Sequence, residues 1–391
     1  MTAAAPHPTL TVRCSDALAP IDRQHWNALV RHNNPFLRHE FLTALEHHGA
    51  VDPRYGWWPR HLLAYDGERL VGAAPQYVKN NTYGEFVFDW AWADAYQRHG
   101  FNYYPKLVVA VPYTPAQGQR MLIHPHADRA AVANALIRHA LDDARAHGLS
   151  SSHWLFVDDQ DRADLARHGL FERTGLQFHW HNPGYADFDQ FLGELSAKKR
   201  KNILRERRRV HAAGIRFEWR HGDDMQPRHW QALHAFYRAT FLRKGGQAVL
   251  SQDFFATLGR SMPSRIIVVL ARRAQQYIAG ALLLRSDHTL YGRYWGALEA
   301  HDGLHFETCY YQGLTYAIGE GLHAFEPGAQ GEFKLSRGFL PTKTYSMHWL
   351  AHPEFRRAIA RHTADERHGV TDYMAGLAAH SPYRQPHREQ P

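Results

Sequence analysis

The chain has 391 residues, 44% hydrophobic and 21% charged, with a formal net charge of +8 and 30 histidines. This length suits two domains with substantial cores, and the composition excludes a disordered or low-complexity chain. Cys14 and Cys309 lie far apart with no CxxC pair, which excludes a disulfide framework or cysteine zinc site and fits a reducing compartment. A basic balance suits phosphates, nucleic acid or a membrane surface, and equally suits plain solubility. The opening MTAAAPHPTL has no basic n-region and no apolar h-region, and no run reaches spanning length, so a cytoplasmic location is expected.

Residues 19–48 carry two helical patterns split near Asn33-Asn34-Pro35. HLLAYDGERLVGAAPQYV (61–78) reads as a hairpin around Asp66-Gly67, a favoured tight-turn pair. KLVVAV (106–111) is a short buried strand, residues 128–147 a helix stopped by Gly148, and HWLFV (153–157) a strand. DFDQFLGELSAKKRKNILRERRRVHAAG (187–214) is expected to be one long helix ending at Gly214. A second hairpin follows in RIIVVLARRAQQYIAGALLLRS (265–286), then the aromatic strand TLYGRYWGAL (289–298). Residues 304–320 read as a helix stopped by Gly321, and HAFEP (323–327) as the next strand.

The second series repeats the first. Val71-Gly72-Ala73-Ala74 answers Ala279-Gly280-Ala281-Leu282, and Ala144–Leu149 answers Ala317–Leu322, each closing a helix and opening a strand. Both matches in one order favour a duplication. Hairpin, strand, helix, strand is also the order of the GNAT acyltransferase fold, whose mixed sheet splays open to admit a pantetheine arm.

Several chemistries lack their motifs. No GxSxG, GxGxxG or GxxxxGK[ST] is present, which disfavours covalent hydrolysis, dinucleotide redox and kinase chemistry. HPH (124–126) and HWH (179–181) lack HExxH spacing, and no metal is expected. Cys309, inside a helical pattern, reads as a small core residue. Residues 198–209, KKRKNILRERRR, hold eight Lys or Arg against one Glu. On a helix Lys198, Lys201, Arg205 and Arg208 share a face, with Ile203 and Val210 opposed. That face is either solvated or turned to phosphates.

The segment FEPGAQGEFKLSRGF (325–339) combines three glycines with mixed charges. In extended chain Glu332 and Lys334 share a side, with Phe333 turned the other way. An acyl transfer to an amine needs a proton acceptor and a cation for the oxyanion. Glu332 and Lys334 are the catalytic candidates, the alternative being a structural ion pair on a strand edge. Arg337 and Gly331 are candidate substrate-binding residues, with His305, Tyr310, Lys199, Arg200 and Lys201 alongside.

At these residues the chain resembles the FemAB-like N-acyltransferases, a bacterial family labelled peptidoglycan biosynthesis or recognition. The resemblance covers roughly residues 10–375. It is carried by YYPKLVVAVPYTPAQGQRML (103–122), GLQFHWHNPGY (175–185), SAKKRKNILRER, and LHFETCYYQGLTYAIGEGL followed by FEPGAQGEFKLSRGFLP. The family adds amino acids from aminoacyl-tRNA to peptidoglycan precursors, and its Phe-Lys pair after the last strand matches Phe333-Lys334. The resemblance implies tandem GNAT-like α+β domains, mixed sheets flanked by helices, and N-acyl transfer to an amine acceptor. Where relatives often carry Gly-Glu-His-Lys, this chain has Gly331-Glu332-Phe333-Lys334, which excludes a His base there. The GNAT pyrophosphate loop is not legible in GALEAHDGLHF (296–306), so acyl-CoA and aminoacyl-tRNA both stay open as donor, with tRNA a candidate partner. The expected domains are 1–184, 185–380 with the active site, and a frayed tail 381–391. The rival expectation is a non-catalytic binding module that recognises a cell-wall precursor or nucleic acid through the basic helix.

Overall fold

The computed structural model describes residues 10–329 and 331–384. They divide into two units, one holding the residues up to Gly175 with Thr344–Gly369, the other Leu176–Lys343 with the residues from Val370 on. The expected split at 184 therefore falls at 175, and residues 344–369 return to the first unit. Two strands, Phe171–His181 and Leu340–Leu350, carry the chain from one unit to the other. Among the described residues no helix is long and apolar enough to cross a membrane.

In the first unit Leu10–Ser15, His61–Asp66, Arg69–Ala74 and Leu122–Ile123 form a sheet in that order. Trp57–Pro59, Gln76–Lys79, Lys106–Val109 and Ser151–Leu155 pair in turn, followed by Ser346–Leu350. Pro75, which has no N–H to donate, stands between Arg69–Ala74 and Gln76–Lys79, where the chain changes sheets. The helix Arg129–Ala146 starts on Asp128, whose side chain accepts from the Ala131 N–H. It buries Val132, Leu136, Ile137 and Ala140 with Leu62, Val71, Leu107, Val109 and Trp154. Gly72 permits this approach, since a Cβ there would lie 2.4 Å from Val132 Cγ1.

Alternation turns the other face of these strands into a buried polar layer. Lys79 is directly opposite Lys106, and His153 opposite His348. The Lys106 ammonium is fully buried, 2.8 Å from Glu85 Oε2 and also bonded to Asp89 Oδ2. The Tyr103 hydroxyl donates to Asp89 at 2.6 Å, and His153 Nδ1 lies 2.7 Å from His348 Nδ1. Burial opposes the charge on Lys106, but Glu85 and Asp89 outweigh it and hold the ammonium above its ordinary range. Burial pushes His153 down to about 3, so that imidazole is neutral.

The second unit pairs Ile215–His221, Ile266–Arg273, Gln276–Arg285, Thr289–Ala297 and Ala324–Glu326 in order, then the end of Phe171–His181. The hairpins, strands and helix stops fall where expected. In each unit an antiparallel strand is followed by a helical crossover to a parallel strand. These are Lys106–Val109 to Ser151–Leu155, and Thr289–Ala297 to Ala324–Glu326. Gly148 and Gly321 close the two crossover helices with φ of +62° and +61°, a conformation that disfavours a Cβ.

The long helix expected over 187–214 is two helices, Phe188–Glu194 and Ala197–Ala212. Leu195 is extended and bridges to Tyr383, and the Ser196 N–H donates to the Pro382 carbonyl. The same contacts tie down residues 381–384 of the expected frayed tail, while 385–391 lie outside the described residues.

Among the described residues Lys106 is the cation in direct ion pairs with both Glu85 and Asp89, while Lys79 acts on them from farther away. Replacing it leaves two buried acids without the cation bonded to them. Lys106→Met is expected to cost about 3 kcal/mol or more, read as a lowered urea midpoint of the full-length protein.

Candidate functional site

The candidate residues gather in the second unit, where two parallel strands part. Thr289–Tyr291 pair with Ala324–Glu326, and the pairing stops there. Thr289–Ala297 runs on against Gln276–Arg285, while the other strand ends at Glu326, just before Pro327. Gly292 sits at the divergence, where a Cβ would lie 3.1 Å from Pro327 Cα.

Past Gly328 and Ala329 the chain does not stay extended. Gly331, at φ +109°, leads into a 3-10 helix, Glu332–Arg337, closed by Gly338 at φ +94°. A 3-10 helix has three residues per turn, so positions two apart point in different directions. The expectation that Glu332 and Lys334 share a side therefore fails. Lys334 turns inward and Glu332 outward. The Glu332 carboxylate accepts from the Tyr373 hydroxyl, and among the described residues it has no cation within ion-pair distance.

Lys334 is buried. Its Nζ donates to the Gly328 carbonyl at 2.6 Å and reaches the Ala329 carbonyl at 3.4 Å. It has no carboxylate at ion-pair distance among the described residues. Burial pushes its pKa down to about 8. Cys309 is a neighbour whose thiol burial pushes well up, so it offers no thiolate at neutral pH.

Arg337 is buried, and both of its terminal nitrogens are committed. One Nη donates to the Phe333 carbonyl at 2.7 Å, the other to Glu206 Oε1 at 2.7 Å. Its guanidinium lies 3.3 Å from the Phe306 ring centroid, a close cation–π contact. Only its Nε is left buried without a partner. Glu206, the single acid of the basic run, also accepts from the Tyr311 hydroxyl.

The helix Ala197–Ala212 thus presents two faces. Ile203 and Val210 are buried, and beside them Lys199 donates to the Ser336 hydroxyl at 3.0 Å. Arg207 donates to the buried Glu307 at 3.1 Å, which also accepts from Gln312 at 2.7 Å. Lys198, Lys201, Arg205 and Arg208 are exposed on the other side. Arg200 and Lys201 make no side-chain bond to any described residue, so of the three candidates in this run only Lys199 reaches the turn.

His305 and Tyr310 do meet the turn. Rings of Trp295, Phe306, Tyr310 and Phe333 lie 4.7, 5.4, 5.3 and 6.0 Å from His305. Burial, then Arg337, pushes His305 down to about 4, so the ring is neutral. Tyr310 is raised by burial and stays a phenol. Between them Glu307–Tyr311 forms a π-helical turn, a feature often found at functional sites.

Sequence reading missed Glu206, Arg207, Glu307, Tyr311 and Trp295. The one signal available was the lone Glu among eight cations. Of the histidine motifs, His179 is buried and bonded to Gln177 at 2.9 Å. Among the described residues no group of three or more His, Cys, Asp or Glu side chains is arranged to hold a metal.

Two units with the same strand–helix–strand crossover, one carrying this turn at its parting strands, define a tandem GNAT-like protein. A family model described as peptidoglycan biosynthesis/recognition, FemAB-like, matches residues 17–385, and the chain belongs to that family. Among solved structures it resembles FemX, with TM-score 0.56 and 13% identity over 87% of this chain and 98% of that one. A conserved protein of unknown function from Bacteroides thetaiotaomicron aligns with TM-score 0.50 and 13% identity, covering 86% of this chain and 99% of that one. A tandem GNAT protein from the clavulanic acid biosynthesis pathway aligns with TM-score 0.45 and 14% identity, covering 88% and 99%. No curated protein matches.

Arg337→Met removes the donor to the Phe333 carbonyl and the partner of Glu206. The expected loss is about 2–4 kcal/mol, measured by urea unfolding. Arg337→Lys should not restore it, because one ammonium does not reproduce the two-armed fork.

Proposed function

We propose that this protein is an N-acyltransferase that moves an acyl or aminoacyl group from acyl-CoA or aminoacyl-tRNA to an amine acceptor related to a peptidoglycan precursor, working in the cytoplasm. The observation that carries this reading is Lys334, a buried ammonium held by backbone carbonyls and, among the described residues, by no carboxylate, beside the point where the strands part.

The reaction forms a C–N bond at the carbonyl carbon of a thioester or ester. The C–S or C–O bond breaks, the amine loses a proton, and the leaving thiolate or alkoxide gains one. Lys334 supplies the positive charge that the transient oxyanion needs. Glu332, on the outward side of the turn and with no cation within ion-pair distance among the described residues, is the base in this reading and takes the amine proton. Arg337 holds the turn through its two terminal nitrogens. His305, Tyr310 and Phe333 form an uncharged aromatic wall beside it. This differs from a structural ion pair, because Glu332 and Lys334 do not bond to each other.

The exposed face of the basic helix favours one other reading, a non-catalytic module that binds a cell-wall precursor or nucleic acid. Turnover separates the two. Lys334→Ala is expected to lower transfer by about 100-fold or more, and Glu332→Gln by a similar factor, with unchanged folding. Lys334 is cationic below about 8, so the wild-type rate should fall as pH rises through that value. Lys334→Arg should remove that falling limb while keeping part of the rate. Normal turnover by both the Ala and Gln variants ends the assignment.

The same face addresses the donor. If Lys198, Lys201, Arg205 and Arg208 engage a polyphosphate backbone, binding of bulk tRNA should fall steeply from low to physiological salt. Replacing the four by Ala should flatten that slope. No tRNA binding even at low salt would leave acyl-CoA as the donor.

A further inference from the structure

The turn Glu332–Arg337 is gripped at both ends by one later stretch of chain, and each grip is a tyrosine hydroxyl. Tyr373 donates to Oε1 of Glu332, the residue that opens the turn. Tyr383 donates to the carbonyl of Gly338, the residue that closes it, at 2.7 Å. Both tyrosines belong to the second unit, as the turn does.

Each tyrosine stands on anchored backbone. Tyr373 lies near the end of the helix Pro353–Ala378. Leu377, four residues on and therefore on the same face, shares the buried core of the second unit with Phe191 and Phe339. Thr371 accepts from Lys343 at 3.2 Å, which ties the helix to Leu340–Leu350, the strand that follows the turn. Beyond the helix Tyr383 bridges to Leu195, and the Arg384 N–H donates to the Glu194 carbonyl at 2.9 Å. Gly338 permits the second grip, since a Cβ there would lie 2.7 Å from Phe191 Cζ and 3.3 Å from the Tyr383 hydroxyl.

The two grips differ in kind. Gly338 is buried, so its carbonyl needs a donor and Tyr383 supplies one. The first grip has no such motive. Tyr373 is 44% exposed and Glu332 is exposed as well, so water reaches both groups and a bond between them adds little stability. What the bond does is fix direction. An untethered glutamate on a surface turn moves among several rotamers. Glu332 is held by Oε1, which aims Oε2, an atom that takes no hydrogen bond from any described residue. The same bond raises the Tyr373 pKa, so the phenol keeps its proton at neutral pH.

We propose that Tyr373 and Tyr383 are positioning residues for acyl transfer: Tyr373 aims the Glu332 carboxylate at the acceptor amine, and Tyr383 holds the far end of the turn that carries Glu332 and Lys334. The amine proton passes to Glu332 Oε2, and Tyr373 keeps its own proton throughout. This inference rests on the reading of Glu332 as the base.

The test uses the full-length protein, with acetyl-CoA or alanyl-tRNA as donor probe and a lysine-containing muropeptide as acceptor probe. Tyr373→Phe should lower kcat about tenfold with KM nearly unchanged, and its melting transition should be retained. In a Glu332→Gln background the same substitution should cause no further loss of the residual rate, because its effect passes through the carboxylate. Tyr383→Phe should lower kcat and speed hydrogen exchange of peptides covering 331–338 more than that of the rest of the unit. Should that variant fail to fold, Tyr373→Phe decides alone. Tyr373→Phe at the wild-type rate, with Glu332→Gln inactive, overturns the proposal and leaves the base in place. Equal losses from Tyr373→Phe in both backgrounds, or a loss matched by a lowered melting transition, overturn it too. Normal turnover by Glu332→Gln overturns the base itself, and the proposal with it.

Discussion

The second unit turns on one ion pair, buried Arg337 with half-buried Glu206. A guanidinium taken out of water must have its donors met, and here one arm goes to a backbone carbonyl and the other to a carboxylate. The carbonyl belongs to Phe333, so the pair fixes the turn internally. The carboxylate belongs to Ala197–Ala212, so the same pair fixes the turn to that helix. Lys199 on Ser336 is a second tie between the same two elements. With the turn held at both ends by Gly331 and Gly338, Lys334 has little freedom to leave its inward position.

Two buried lysines, Lys106 and Lys334, show how compensation separates architecture from chemistry. Lys106 is enclosed by two carboxylates and a hydrogen-bonded Tyr103–His153–His348 series, and its charge is held on. Among the described residues Lys334 is bonded to backbone carbonyls alone, and burial brings its deprotonation close to neutrality. A charge fully matched inside the protein has little left to offer a ligand. A charge left unmatched is unstable in the free protein and is stabilised further by an arriving anion. The same economy operates at Tyr83–Trp90, where the matched carboxylates of Glu85 and Asp89 vanish from the surface while Phe86, Phe88 and Trp90 remain on it.

Local elements were largely legible because their signals are local. Asp66-Gly67 at a hairpin, Gly148 and Gly321 after helices, and apolar runs at strands depend on few neighbours. The misreadings share a physical cause. The pattern over 187–214 is continuous in helix propensity, yet Leu195 and Ser196 are drawn out by contacts with Pro382 and Tyr383, nearly two hundred residues away. Glu332 and Lys334 were read on a two-residue period, whereas flanking glycines and the fork of Arg337 wind that stretch into a three-residue turn. The domain boundary moved because residues 344–369 complete the first unit after an excursion through the second, a return that no composition shift marks.

By itself the sequence determined the class of the protein: α+β, internally repeated, with a glycine-framed Glu-Phe-Lys segment after the last crossover strand. Periodicity, turn chemistry and the order of elements suffice for that, since each reports on residues close in the chain. Only the tertiary structure decided which charges are matched. It assigned the lone Glu206 of a basic run to Arg337, left Lys334 bonded to backbone carbonyls, and turned Phe86, Phe88 and Trp90 outward over buried acids. Those outcomes follow from which side chains lose water together, and that depends on contacts between segments far apart in the chain.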